Sequence, residues 1–131
     1  MIFSDITLVT DDVCRLRDFY ARAFGAEGFG DEDHGGVALP GLHLTIDSAR
    51  MLRGTEAFRS ASPAAGDHAV LSFDAEDVDA EYARLLALGI EALCPPTTHP
   101  WGARSFQFRD PDGNMLNIRT TLRAEGPAGD S

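Results

Sequence analysis

Apolar residues recur along the chain with two periods, and the same succession of periods occurs twice. From Ile2 to Val9, the apolar Phe3, Ile6 and Leu8 stand against Asp5 and Thr7, the alternation of a half-buried strand. From Asp11 to Phe24 the spacing changes, with Val13, Leu16, Phe19, Tyr20 and Phe24 recurring at helical intervals. Asp11 or Asp12 can cap that helix, and Gly25 ends it. The Gly-rich stretch Gly25 to Gly36 then has room for one short strand and a turn. Val37 to Leu39, the Pro40-Gly41 turn and Leu42 to Ile46 read as a hairpin, with His43 and Thr45 opposite Leu42, Leu44 and Ile46.

The pattern then restarts. His68 to Phe73 reads as a strand, and Asp77 or Asp79 can cap a helix with the stripe Val78, Tyr82, Leu85, Leu86 and Leu88, which Gly89 ends. Ile90 to Cys94 reads as a strand and Pro95 to Pro100 as a loop. Two alternating strands follow, joined by the turn Asp110-Pro111-Asp112-Gly113. In that hairpin Phe106, Phe108, Leu116 and Ile118 share one face. Ser105, Gln107, Met115, Asn117 and Arg119 share the other, which is too polar for a sealed core and suits the lining of a cleft.

Leu8 to Val13, Phe19 to Arg22 and Phe24-Gly25 run parallel to Phe73 to Val78, Glu81 to Arg84 and Leu88-Gly89, which makes this an internal repeat. The expected architecture is α+β: two βαβββ repeats forming a curled eight-stranded mixed sheet around a cleft, helices outside. Repeat one covers about 2–46 and repeat two about 68–121, within one domain over 1–121, and 122–131 is expected to be a flexible tail. The connector 47–67 has no clean period. Met51, Leu52 and Phe58 either pin a short helix or anchor a loop, and the loop is the preferred reading.

At 131 residues, 44% hydrophobic and 24% charged, the composition suits one soluble domain. No run approaches the ~18 apolar residues that span a bilayer, and no basic-then-apolar leader opens the chain, so a cytoplasmic location is expected. Cys14 and Cys94 show neither metal nor redox spacing and read as buried thiols. Eleven basic against 21 acidic residues give a net charge of −10, which disfavours nucleic acid and anionic membranes as partners.

The run Pro100-Trp101-Gly102 leading to Phe108-Arg109-Asp110-Pro111-Asp112-Gly113-Asn114, with Asp77-Val78-Asp79 before a helix ending in Leu88-Gly89, resembles the vicinal oxygen chelate superfamily. That superfamily includes glyoxalase I, extradiol dioxygenases and the bleomycin-resistance proteins, and the resemblance spans Ile2 to Thr121. It implies four equivalent metal-ligand positions, which fall here on Asp5, His43, Val70 and Asn117. Val70 has no donor atom and Asn117 offers only a neutral amide, leaving Asp5 and His43 as weak metal candidates, with His68 as a third donor only if its strand slips by two residues.

The resemblance therefore leans toward the metal-free, bleomycin-resistance-like branch. It implies a small-molecule-binding protein with no cofactor, its ligand held in the cleft by Asp5, Thr7, His43, Thr45, Val70 and Ser72 together with Trp101, Gln107, Met115 and Asn117. Trp101 is either a stacking surface or a plug beside its turn, and Asp5 either a counter-ion for a cationic or aromatic ligand or a structural carboxylate. His34 and His99 read as surface loop residues, and Arg104 as packing or pairing with a helix carboxylate. A divalent-metal-dependent lyase, isomerase or dioxygenase with an altered ligand set is the alternative, and a metal-free enzyme using Asp5 or His43 as general base also stays open. Family members cover exposed strand edges by assembly, so a homodimer is expected.

Overall fold

Asp12 and Asp77 each open a helix by the same device, a carboxylate that accepts the amide three residues on: Arg15 N at 3.0 Å and Ala80 N at 3.0 Å. The computed structural model describes residues 1–3, 5–63 and 69–121, with only the backbone of Thr121. The chain divides into two compact units, 1–65 and 66–131, each holding one repeat.

In the first unit, β1 (Ile6–Thr10) leads into α1 (Val13–Phe24), and β2 (Gly28–Gly30), β3 (His34–Leu39) and β4 (Leu42–Ser48) complete a four-stranded sheet in the order β1-β4-β3-β2. β1 runs parallel to β4 and the other pairs are antiparallel. Gly25 ends α1 in the left-handed conformation, with φ 61°. Val13, Leu16, Tyr20 and Ala23 of α1 are buried together with Val37, Leu44 and Ile46 of the sheet. Gly36 permits the close β3–β4 approach, because a Cβ there would stand 2.2 Å from the Leu44 carbonyl oxygen.

The second unit repeats the plan with β5 (Val70–Asp74), α3 (Val78–Ala87), β6 (Thr97–His99), β7 (Ala103–Arg109) and β8 (Met115–Thr121), ordered β5-β8-β7-β6. The eight strands expected are thus divided into two four-stranded mixed sheets. Phe106, Phe108, Leu116 and Ile118 are buried on the face that α3 covers, where the Tyr82 ring meets Phe106 edge-on at 5.3 Å. Arg104 reaches α3 as expected, and its guanidinium grips the Asp79 carboxylate at 3.0 and 2.8 Å. That grip holds the Asp79 carboxyl below the ordinary carboxylate range.

Several expectations are corrected. The connector carries a helix, α2 (Ala49–Arg53), capped by Ser48 Oγ accepting Met51 N, and then a 3-10 turn at Glu56–Phe58. Ile90 to Cys94 is no strand. Only Ala92 bridges Phe108 there, and the fourth strand of the sheet is Thr97–His99, where a loop was expected. Leu86 leaves the helical stripe and is exposed. Neither Cys14 nor Cys94 is fully buried, although both are free. His34 and His99 are strand residues with side-chain partners. His68 and the tail 122–131 lie outside the described residues.

Candidate functional site

Alternation along β5, β7 and β8 sends every second side chain away from α3, and register then assembles those residues into rows. Ser72, Asn117 and Gln107 are successive cross-strand partners and form one row. Asp74, Arg119 and Ser105 form the next. Hydrogen bonds run along and between them. Asn117 Nδ2 donates to Ser72 Oγ at 3.3 Å, and Gln107 Nε2 donates to Asn117 Oδ1 at 2.8 Å and to Ser105 Oγ at 3.2 Å. The Cys94 thiol donates to Gln107 Oε1 at 3.3 Å.

Ser105 Oγ lies 2.9 Å from His99 Nε2. The Ser105 hydroxyl thus links the Gln107 amide to the imidazole. The other ring surface of this histidine is the Trp101 indole, with ring centroids 4.4 Å apart and planes 3° from parallel. Pro100 and Gly102 bend the chain to bring the indole back: Gly102 takes φ 94°, and its amide donates to the His99 carbonyl at 3.1 Å. His99, Trp101, Ser105, Gln107, Asn117 and Arg119, with Ala103 beneath, line a cavity of about 230 Å³.

Of the ten residues expected to bind ligand, this cavity gathers Trp101, Gln107 and Asn117, with Ser72 bonded to its edge. Val70 and Met115 are register partners on the same face and do not line it, and Val70 is 48% exposed. Asp5, Thr7, His43 and Thr45 belong to the first unit. There Thr7, Thr45 and Gly36 form the row equivalent to Ser72, Asn117 and Gln107. Asp5 and His43 are exposed, Asp5 just before β1 and His43 opposite Ala38. His34 Nδ1 meets Asp47 Oδ1 at 2.5 Å on this sheet.

A second cavity of about 230 Å³ lies at the start of α1, between Asp11, Asp12, Glu32 and Arg50, and has no aromatic side chain in its lining. Parity alone puts Ser105 and Arg119 on the cleft-lining face with Gln107 and Asn117, whereas His99 escapes the sequence reading, because the polar, Pro-flanked Thr97-Thr98-His99 hides the strand that brings it alongside.

The sequence profile of the Glyoxalase/Bleomycin resistance protein/Dioxygenase superfamily matches residues 2–118. The chain belongs to this superfamily. Solved relatives share its fold. A glyoxalase/bleomycin resistance protein/dioxygenase from Nocardioides superposes with a TM-score of 0.82 at 25% identity, covering 98% of this chain and 89% of that one. A family enzyme from Burkholderia phytofirmans PsJN gives 0.78 at 18% identity, covering 91% and 98%. A lactoylglutathione lyase from Agrobacterium tumefaciens gives 0.71 at 24%, covering 91% and 92%. No curated protein matches the chain.

Superfamily membership raises the question of a divalent metal, and the described residues do not fit one. Among the described residues no three His, Cys, Asp or Glu side chains gather where they could hold an ion. In the second unit the candidate positions are Val70, which has no donor, and Asn117, whose oxygen already accepts from Gln107. Register also separates them, since Val70 faces Met115 while Asn117 faces Ser72. A neutral amide and a hydroxyl are poor replacements for the imidazole and carboxylate donors that hold zinc or nickel.

Proposed function

We propose that this superfamily member binds a small planar molecule on the helix-free face of its second sheet and holds it through stacking and side-chain hydrogen bonds, without a metal. The observation that carries this reading is the His99–Trp101 stack beside the Ser105–Gln107–Asn117 row. One wall is a half-exposed aromatic plane, and the floor is a set of amides and hydroxyls held in position by one another. Such a combination of one apolar plane and a few fixed polar groups is what small-molecule sites need. Pre-bonded side chains lose little further freedom when a ligand arrives. Ligand binding, rather than turnover, is the role this arrangement favours. A volume of about 230 Å³ lies below the ~300–1,000 Å³ of drug-sized pockets, so the ligand is a single or fused ring system.

Trp101 is the only tryptophan in the chain, so its fluorescence reports this cavity alone. A panel of planar aromatic compounds should quench it saturably, and Trp101→Phe should keep binding by calorimetry where Trp101→Ala loses it. Tight binding that survives Trp101→Ala unchanged would place the ligand elsewhere.

A further inference from the structure

The cavity on the second sheet is lined by one permanently charged side chain, Arg119, and its guanidinium is only partly used. Its Nε donates to Asp74 Oδ1 at 3.1 Å, while neither terminal nitrogen has a partner among the described residues. The two charges sit differently: the Arg119 side chain keeps 25% of its exposure and Asp74 keeps 81%, so the carboxylate is largely in solvent and screened. Arg119 faces Ser105 across the β7–β8 ladder, and Ser105 bonds the imidazole that lies flat on Trp101. An aromatic plane and an open two-nitrogen fork therefore line the same cavity.

The geometry points to a planar conjugated carboxylate as the ligand of this cavity, its ring on Trp101 and its carboxylate on the terminal nitrogens of Arg119. The second amide hydrogen of Asn117 stands beside them as a lateral donor. This rests on the reading of the cavity as the binding site and adds the charge of what it takes. A guanidinium fork fits a carboxylate with two parallel bonds, which an ammonium or a neutral amide on the ligand cannot reciprocate. The net charge of −10 does not reverse this preference, because its field is screened over about 8 Å at physiological salt whereas the paired groups are in contact. Asp5, on which a cationic ligand would depend, is not among the lining residues.

Three isosteric probes test the assignment on the full chain: 2-naphthoate, 2-naphthamide and 2-naphthylmethylammonium, followed by Trp101 quenching and calorimetry. Naphthoate should bind at least about tenfold tighter than the amide, with the ammonium weakest. Arg119→Gln should weaken naphthoate by about ten- to a hundredfold, to the level of the amide, with the amide itself unchanged within about twofold. Arg119→Lys should restore only part of the loss. Asp74→Asn, which removes the competing charge while keeping an acceptor for Nε and leaving the cavity lining untouched, should strengthen naphthoate severalfold, and decides the matter if Arg119→Gln does not fold. Equal affinities for the three probes, a preference for the ammonium, or no gain from Asp74→Asn would overturn the carboxylate assignment and leave the binding site standing. No binding of any probe would overturn both.

Discussion

His99 and Trp101 lie face to face, 4.4 Å between ring centroids and 3° from parallel, with one surface of the indole still open to solvent at 48% exposure. The two residues are held by different means. The imidazole is fixed by Ser105 through Nε2, and the indole is carried over it by the turn at Gly102. The stack thus orients a surface ring that would otherwise turn freely, which is what a binding plane requires and a structural plug does not.

Because the indole is half exposed, Trp101→Ala should change stability by no more than about 1.5 kcal/mol, the scale of one aromatic pair. His99→Ala should cost little stability too, yet lower the fluorescence anisotropy of Trp101 and weaken aromatic probes. A large loss of stability in Trp101→Ala, with no change in binding, would make the ring a plug.

Phe108 and Leu116 are register partners on the helix-covered face, both fully buried. Replacing either by alanine should destabilise by about 2 to 5 kcal/mol in urea unfolding, through lost burial and the cavity left behind. Asn117→Ala, on the opposite face, should cost under about 1.5 kcal/mol, since its partners are half exposed. Reversed costs would reverse the faces of the hairpin.

The turn joining β7 and β8 depends on Asp110, whose side chain is buried and accepts the amides of Asp112 and Asn114 at 2.9 Å each and Asn114 Nδ2 at 2.8 Å. Asp110→Ala strands those donors and should cost about 1 to 3 kcal/mol. Gly113 has φ 90° with nothing near a Cβ, so Gly113→Ala should cost only the conformational term, about 1 to 2 kcal/mol. Thermal melts of the two variants should therefore both fall, Asp110→Ala by as much or more.

How much of this was legible in the sequence depended on what enforced each element. The caps Asp12 and Asp77, the stop at Gly25 and the Asp110–Gly113 turn are set by local chemistry, so both repeats and the closing hairpin could be read directly. Parity also placed Gln107 and Asn117 on one face. The fourth strand of the second sheet could not be read, because Thr97–His99 is three polar residues behind Pro95-Pro96, while the more apolar Ile90–Cys94 offers the stronger strand pattern. It is pairing with Ala103, Arg104 and Ser105 that makes the strand, and that pairing is tertiary. The role of His99 was lost with it. His34 was missed for the same reason, since its partner Asp47 is thirteen residues away across β3–β4.

Acid should act first through paired surface carboxylates. Arg50 and Ser48 hold the Asp33 carboxyl below its ordinary range, donating at 2.6 and 2.8 Å, and Arg104 does the same for Asp79. A carboxyl whose folded pKa is depressed contributes stability that is fully present above its unfolded value of about 3.9 and is lost as the pH falls through the folded value. These pairs should therefore leave stability flat from pH 5 to 8 and weaken it below about pH 4. In thermal melts, Asp33→Asn and Asp79→Asn should be less stable than the parent at pH 7, and the gap should narrow at pH 3. A gap that is constant with pH would mean that the charge of these carboxylates is not what stabilises the fold.

Metal dependence gives the most direct separation of a binding protein from the lyase or dioxygenase alternative. If the ligand is held by stacking and side-chain hydrogen bonds alone, exhaustive dialysis against a chelator should leave probe affinity within about twofold, and adding nickel, zinc or manganese should leave the melting temperature unchanged. The measurement is sensitive, because an ion that binds only the folded chain, present at a hundred times its Kd, would add about 2.7 kcal/mol of stability, enough to move a melt by several degrees. Asp5 and His43 are the residues to remove if such a rise occurs. A metal-induced rise abolished by Asp5→Asn and by His43→Ala, with probe binding dependent on the same ion, would establish an altered metal site and refute the metal-free reading. A rise insensitive to both substitutions would trace the ion to other carboxylates of this acidic surface, leaving ligand binding at Trp101 intact.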